Sequence, residues 1–118
     1  MTPLRWHIYS VDLEPRIGTK PGKQRPCLVV QPSYFALHGL KSSVIIPITS
    51  KLSKRENYPL RVRLGKNTAG LLQDSELLID QILAWDNTLF RKDLGEIPDT
   101  IKIKTLQAIN DFMSLDSI

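Results

Sequence analysis

The sequence predicts a small, mainly β protein, a partly open barrel of short strands closed by one C-terminal helix. Three observations carry that reading. Short apolar, partly β-branched runs recur from Leu4 to Leu94, set apart by Gly, Pro, Asn and Asp. A capped, sustained helical pattern follows only after Pro98. With 118 residues the chain has length for one core and no room for a second, so residues 1–118 are read as one domain.

Leu4 to Leu13 opens as a strand, with Trp6, Ile8, Tyr9, Val11 and Leu13 as β-favouring positions, and Glu14-Pro15 ends it. A loop punctuated by Gly18, Pro21 and Gly22 leads into Pro26–Gln31, whose Cys27-Leu28-Val29-Val30 run is the kind that is buried. Tyr34 to Gly39 reads as one helical turn ended by glycine. Ser43–Ile48 is the next buried strand, and Pro47, which cannot donate to a ladder, places it near an edge or bulge there. Thr49 to Tyr58 is a polar, basic loop. Pro59–Leu64 alternates, with Leu60, Val62 and Leu64 inward and Arg61 and Arg63 outward. Gly65 to Gly70 is a hairpin-type connection.

Ser75 to Trp85 has helical length, but its composition and flanking turn signals favour a strand that Asp80-Gln81 interrupts. Asp86 caps a turn, and Phe90–Leu94 is the last strand. Pro98 opens the helix, which runs to about Leu115 with Ile101, Leu106, Ile109, Phe112 and Met113 as its apolar stripe and Asp99 near the positive end of its dipole. Ile97 is a poor cap. Trp6, Tyr34 and Trp85 are read as core packing, with base stacking as the alternative.

Apolar residues make up 42% and charged residues 24%, ordinary for a globular protein, and no run approaches the roughly 18 apolar residues of a membrane span. The N-terminus, broken by Arg5, His7 and Asp12, does not read as a signal peptide, so the location expected is the cytoplasm. One cysteine excludes an internal disulfide, and Cys27 reads as a small core residue. A net charge of +4 decides little, but its distribution is informative. Between Arg16 and Arg63 the cations face a single acid, Glu56, whereas from Asp74 onward acids outnumber bases. Half of the chain is therefore cationic, as a polyanion-binding face requires.

Within that half, Arg25 lies where the Lys20/Lys23 loop meets the buried strand, and Pro26 holds it to an extended backbone. A buried strand thus fixes the base of a guanidinium that a loop can cover, a way to present it to phosphate. His7, His38 and Cys27 stand at scattered positions without metal-ligand spacing, so no metal and no cofactor are expected. His7 sits in the first strand and His38 in a helical turn, both away from the Arg25 stretch, which argues against a histidine acid–base pair. Asp80 and Gln81, a polar pair inside an apolar run, need hydrogen bonds if buried and are candidate base readers. The structural alternative is a bond to a neighbouring loop.

Taken with Asp12-Leu13-Glu14-Pro15 before it and Pro47-Ile48-Thr49-Ser50-Lys51 after it, this stretch resembles the MazF/PemK family of bacterial toxins. The pattern runs along nearly the whole chain, through Asp74-Ser75 and Asp80-Gln81-Ile82 to the closing helix. The resemblance implies an SH3-like barrel with a C-terminal helix, a homodimer with grooves at its interface, and the toxin role in a type II toxin–antitoxin pair. It also implies a metal-independent endoribonuclease that cuts single-stranded RNA, messenger RNA in type, through the substrate's own 2′-OH to leave 2′,3′-cyclic phosphate and 5′-OH ends.

The family's catalytic arginine falls on Arg25 and its catalytic hydroxyl on Thr49. Its RNA-contacting glutamine falls on Gln81, beside Asp80. Lys20, Lys23, Gln24, Ser50, Lys51, Lys54 and Arg55 complete the expected RNA contacts. A small, acidic, MazE-like antitoxin with a flexible tail is the expected partner. Arginine is a poor base, so Arg25 is expected to offset charge on the phosphorane while Thr49 donates a hydrogen bond. Two positions depart from the family: Lys20 stands where many members carry an acid, and Trp6-His7 where a Gly-acidic pair is usual. Lys20 keeps open a non-catalytic member that only binds RNA or antitoxin. A CcdB-like inhibitor of DNA gyrase would not need Arg25 and Thr49.

Overall fold

The computed structural model describes residues 1–19 and 22–118. Its strands are β1 (His7–Asp12), β2 (Gln24–Val29), β3 (Ser42–Thr49), β4 (Arg61–Leu64), β5 (Ser75–Leu78), β6 (Leu83–Asp86) and β7 (Phe90–Glu96). The helices are the short α1 (Ser33–Leu37) and the long α2 (Asp99–Met113). The strands form one antiparallel sheet in the order β4-β5-β3-β2-β1-β7, with β6 paired to β3 off that path. The outer strands β4 and β7 are not paired to each other, so the sheet bends without closing as a barrel.

The pivot is β3. On one side it pairs with β2 through Ile45, Ile46 and Pro47. On the other it pairs with β6 through Ser42–Ile45, then with β5 at Ile48 and Thr49. The changeover falls around Pro47, where a residue without an N–H is tolerated, as its sequence position requires. β2 and β3 are buried on both faces. Leu28, Ile46 and Ile48 join the larger cluster under α2, while Cys27, Val29 and Ile45 join Tyr9, Val11 and Phe90 on the opposite face. Two packed faces hold this centre rigid, and Thr49 is its last residue.

Four expectations change. Ser75–Trp85 is not one strand: β5 ends at Leu78, a 3₁₀ turn covers Ile79–Gln81, and β6 follows. The turn lets the chain leave the β4 side of β5 and return along the other end of β3. Asp80 is consequently exposed and Gln81 half-buried, so they are not a buried polar pair. On α2 the buried positions are Thr105 and Ala108, with Ile101 and Ile109 packed beside them, whereas Leu106, Phe112 and Met113 are exposed. The small Ala108 lets the helix approach the sheet closely, and the larger residues turn away. Tyr34 is also exposed, lying on α1 with its ring stacked 4.2 Å from that of His38 rather than in the core. Trp6 and Trp85 do pack against the two clusters, and Trp85 Nε1 donates to the Asp12 carbonyl at 2.7 Å.

Candidate active site

Arg25 sits one residue inside β2, opposite Val11 of β1. Its Nε donates to the Gly22 carbonyl at 3.0 Å, which uses one of five donors and fixes the plane of the guanidinium. The loop neck behind it is closed twice. Leu13 N donates to the Lys23 carbonyl at 2.8 Å, and Lys23 N donates to the Glu14 carboxylate. Gly22 is required by close approach: a Cβ there would lie 2.7 Å from Arg16 Cβ and 3.0 Å from Glu14 Oε1. Lys20 lies outside the described residues.

Thr49 ends β3, and its Oγ1 accepts the Lys51 N–H at 3.1 Å, starting the turn into the basic loop. An acceptor role leaves the hydroxyl proton available for donation. Arg25 and Thr49 line one hollow of about 440 Å³ together with Arg16, Lys51, Lys54 and Arg61. Among the described residues, five of those lining it are cations and none is a carboxylate, so the hollow favours an anion strongly.

Arg25 also borders a second hollow, of about 520 Å³, lined by Lys23, Gln24, Ser50 and Gln73 with Pro26, Leu71, Leu72 and Leu94 as apolar wall. Gln24 Nε2 donates to Ser10 Oγ at 2.8 Å. Arg25 therefore borders both a cationic hollow and a mixed one, a layout suited to a phosphate on one side and a flat ring on the other. A third hollow, of about 390 Å³, takes Arg55 and shares Lys54 and Arg61 with the first. A fourth hollow, about 590 Å³ beside Leu40 and Trp85, contains none of these residues.

The structure thus gathers Arg25, Thr49, Lys51 and Lys54 in one hollow, and Lys23, Gln24 and Ser50 in its neighbour. Arg55 lies one hollow further along. Asp80 and Gln81 line none of the four; the Gln81 amide reaches only its neighbour's carboxylate, at 3.5 Å. His7 is tied to Asp93 at 3.0 Å, and His38 Nδ1 lies 2.8 Å from the Tyr34 carbonyl, both outside these hollows. Among the described residues no three His, Cys, Asp or Glu side chains converge as metal ligands.

Two contributors were not singled out from sequence. Arg16 reads there as one of many loop cations, and Arg61 as an outward strand residue. The alternation of Arg61-Val62-Arg63 does point both arginines away from the core, but their partner lies in another strand. That partner is Glu76, 3% exposed, which accepts from Arg61 Nη1 at 2.9 Å and from Ser53 N and Oγ at 2.9 Å each. Burial pushes the Glu76 carboxyl up, but the Ser53 hydrogen bonds, then the bond and charge of Arg61, outweigh it and hold the group below its usual range.

No helix of the described residues is long and apolar enough to cross a membrane. Residues 4–113 match the family described as PemK-like, MazF-like toxin of type II toxin-antitoxin system. Among curated relatives, Endoribonuclease MazF6 of Mycobacterium tuberculosis is 31% identical over 97 residues, covering 82% of this chain and 84% of that protein. Endoribonuclease EndoA of Bacillus subtilis is 25% identical over 111 residues, covering 94% of each. A mycobacterial endoribonuclease solved in complex with its cognate antitoxin shares the fold, with a TM-score of 0.74 and 20% identity over 96% of both chains. A match that spans both ends of the sheet, the Arg25 loop and the closing helix leaves one assignment: this chain belongs to the PemK-like, MazF-like toxins of type II toxin–antitoxin systems.

Proposed function

We propose that the hollow shared by Arg25 and Thr49 cleaves single-stranded RNA without a metal ion, making this chain an endoribonuclease toxin. The observation that carries this reading is the placing of a guanidinium and a hydroxyl in one hollow whose charged lining, among the described residues, is cationic. The substrate's 2′-oxygen attacks the adjacent phosphorus, the P–O5′ bond breaks, and a 2′,3′-cyclic phosphate and a 5′-OH result. The proton leaving the 2′-oxygen is matched by the one taken up at the 5′-oxygen, so no water is consumed. Arg25 offsets charge developing on the phosphorane oxygens, and Thr49 donates a hydrogen bond beside it. The mixed hollow across Arg25 takes the base next to the scissile bond, with Lys23, Gln24 and Ser50 at its edge. Asp80 and Gln81 act further out, on a neighbouring nucleotide.

The partner is an acidic antitoxin whose flexible segment covers the cationic hollows. The endoribonuclease–antitoxin complex of a fold relative supports that reading. A second copy of the chain is the natural cover for the exposed apolar side chains of α2, Ile103, Leu106 and Met113 among them, and gives the homodimer. The site of action is the cytoplasm. Incubating the purified protein with a long mixed-sequence RNA in EDTA, then identifying the new ends by mass spectrometry, tests the proposal. Cyclic phosphate ends that persist in the His7→Ala/His38→Ala double variant and vanish in Arg25→Ala support it. A gel shift without fragments points to a binding protein instead, and stalled DNA supercoiling with untouched RNA to a gyrase poison.

A further inference from the structure

Glu76 occupies the middle of the β4-β5-β3 part of the sheet. It stands directly opposite Thr49 on β3 and opposite Arg63 on β4. Directly opposed residues of antiparallel strands share a face, so one buried carboxylate lies between the proposed catalytic hydroxyl and the arginine pair. Arg61 Nη1 reaches it at 2.9 Å and Arg63 Nη2 at 3.5 Å. Two guanidiniums on one carboxylate leave a whole positive charge over, and each arginine keeps donors that Glu76 does not engage. Their side chains remain 28% and 51% exposed, so those donors have access to solvent.

The hollow beside them, about 390 Å³, is lined by Lys54, Arg55, Arg61, Arg63 and Lys104 as cations, against Glu56 and the already satisfied Glu76. Tyr58 supplies its single ring, and its hydroxyl is tied to Asp111 of α2 at 2.6 Å, so the hollow is built for charge rather than for stacking. Ser53, Lys54 and Arg61 also line the Arg25–Thr49 hollow, so the two are immediate neighbours.

We propose that this hollow is a second phosphate subsite, which grips a phosphodiester further along the same RNA strand, with Glu76 positioning Arg61 and Arg63 for that contact. The inference rests on reading the Arg25 hollow as an RNA site. Adjacency to that hollow favours a strand over an isolated acidic peptide, because Lys54 and Arg61 border both hollows and a polyanion seated at Arg25 has cations next to it on that side. The grip is independent of sequence, since it reads backbone alone.

The test is the salt dependence of binding to a mixed-sequence, fully 2′-O-methyl RNA of about 20 nucleotides, which resists cleavage by 2′-OH attack. Each phosphate contact of a single strand contributes about 0.7 to the slope of log affinity against log salt. Arg63→Ala/Lys104→Ala should flatten the slope by about 0.7 and weaken binding about fivefold to twentyfold near 0.1 M salt. Removing a cation outside all the hollows, Lys66→Ala, should leave the slope as in the wild type. Glu76→Gln, which unpins the arginines while keeping an acceptor for Ser53, should flatten the slope in the same direction with the cations still present. Thermal melts of each variant confirm that the fold is intact.

An unchanged slope in the Arg63/Lys104 variant overturns the subsite, and if that variant's parent still cuts ordinary RNA, the nuclease reading survives alone. A flattened slope in a protein that cuts nothing upholds the subsite and overturns the nuclease reading. Loss of affinity for an acidic oligopeptide with RNA binding unaltered overturns the subsite and gives the hollow to a protein partner.

Discussion

The Gly22 carbonyl holds Arg25 Nε at 3.0 Å, so a backbone atom of the loop sets the orientation of a side chain that borders both the cationic and the mixed hollow. The guanidinium's terminal nitrogens are left for the substrate. Charge alone does not reproduce this arrangement, because a lysine has neither the Nε–H nor the planar fork. Arg25→Ala should lower kcat/KM by at least about 10²–10³, and Arg25→Lys should recover only a small part of that. Single-turnover cleavage of a defined RNA measures both, and full activity in Arg25→Lys would show that a point charge suffices.

Gly22 makes a second, independent prediction about the same contact. An added Cβ meets Arg16 Cβ at 2.7 Å and the Glu14 carboxylate at 3.0 Å, and neither distance is tolerable without movement. Gly22 lies outside the strands and helices, so Gly22→Ala should fold, with a stability loss of about 1 kcal/mol. Displacing the carbonyl by about 1 Å misdirects Arg25, and an error of that size costs on the order of 10²-fold in rate. A Tm close to wild type together with wild-type cleavage would contradict the coupling.

Thr49 separates donor chemistry from shape. Its Oγ1 already accepts the Lys51 N–H, so Thr49→Val removes both that turn contact and the hydrogen bond proposed to be donated to the substrate, while Thr49→Ser keeps both. Cleavage should fall about 10²-fold or more in the valine variant and stay within about fivefold in the serine variant. RNA affinity, measured on the uncleavable strand, should change little in either, since the cations proposed to grip the backbone are untouched.

Local patterns made much of this legible. Cys27–Val30 and Ser43–Ile48 are apolar runs too long and too β-branched to be anything but buried strands, and the residues at their ends, Arg25 and Thr49, inherit fixed positions from them. Pro47 pointed to an edge or a bulge, and the structure has instead a central strand that changes partner there, so the missing N–H marked a gap in the ladder without saying which kind. What depended on distant pairing was not legible. The break at Ile79–Gln81 is set by where β6 must return along β3, and the buried face of α2 by Ala108 fitting against the sheet. Arg61 and Glu76 are fifteen positions apart and meet only through the β4–β5 register, so neither half of that pair announces the other.

The same pair gives a pH prediction whose sign follows from the structure. Glu76 is held below the ordinary glutamate value of 4.5, so its contribution to stability is fully present above that pH and is lost as pH falls through the folded-state value. Protonation breaks the attraction to Arg61 and leaves the Ser53 contacts short of an anion. Glu76→Ala should cost about 2–3 kcal/mol, below the range for a fully enclosed pair because both arginines keep contact with water. Denaturant melts between pH 3 and 7 should show a steeper acid decline in the wild type than in Glu76→Gln; parallel curves would rule out Glu76 as the source.

Glu14 completes the neck of the Arg25 loop, and its variants distinguish an acceptor from a charge. Its carboxylate accepts the Lys23 N–H, its own N–H donates to Asp12 Oδ1 at 3.0 Å, and Lys23 holds a left-handed backbone with φ of +64°. That conformation is unfavourable for a side-chain-bearing residue, so an external bond must hold it. Glu14→Ala removes the acceptor, and the Lys23 amide should then exchange with solvent about tenfold faster, with cleavage down about threefold to tenfold. Glu14→Gln keeps an amide oxygen in the same place and should behave as the wild type on both measures. If Gln instead matched Ala, the charge would be what matters, and Glu14 would belong with the electrostatics of the site rather than with the geometry of its loop.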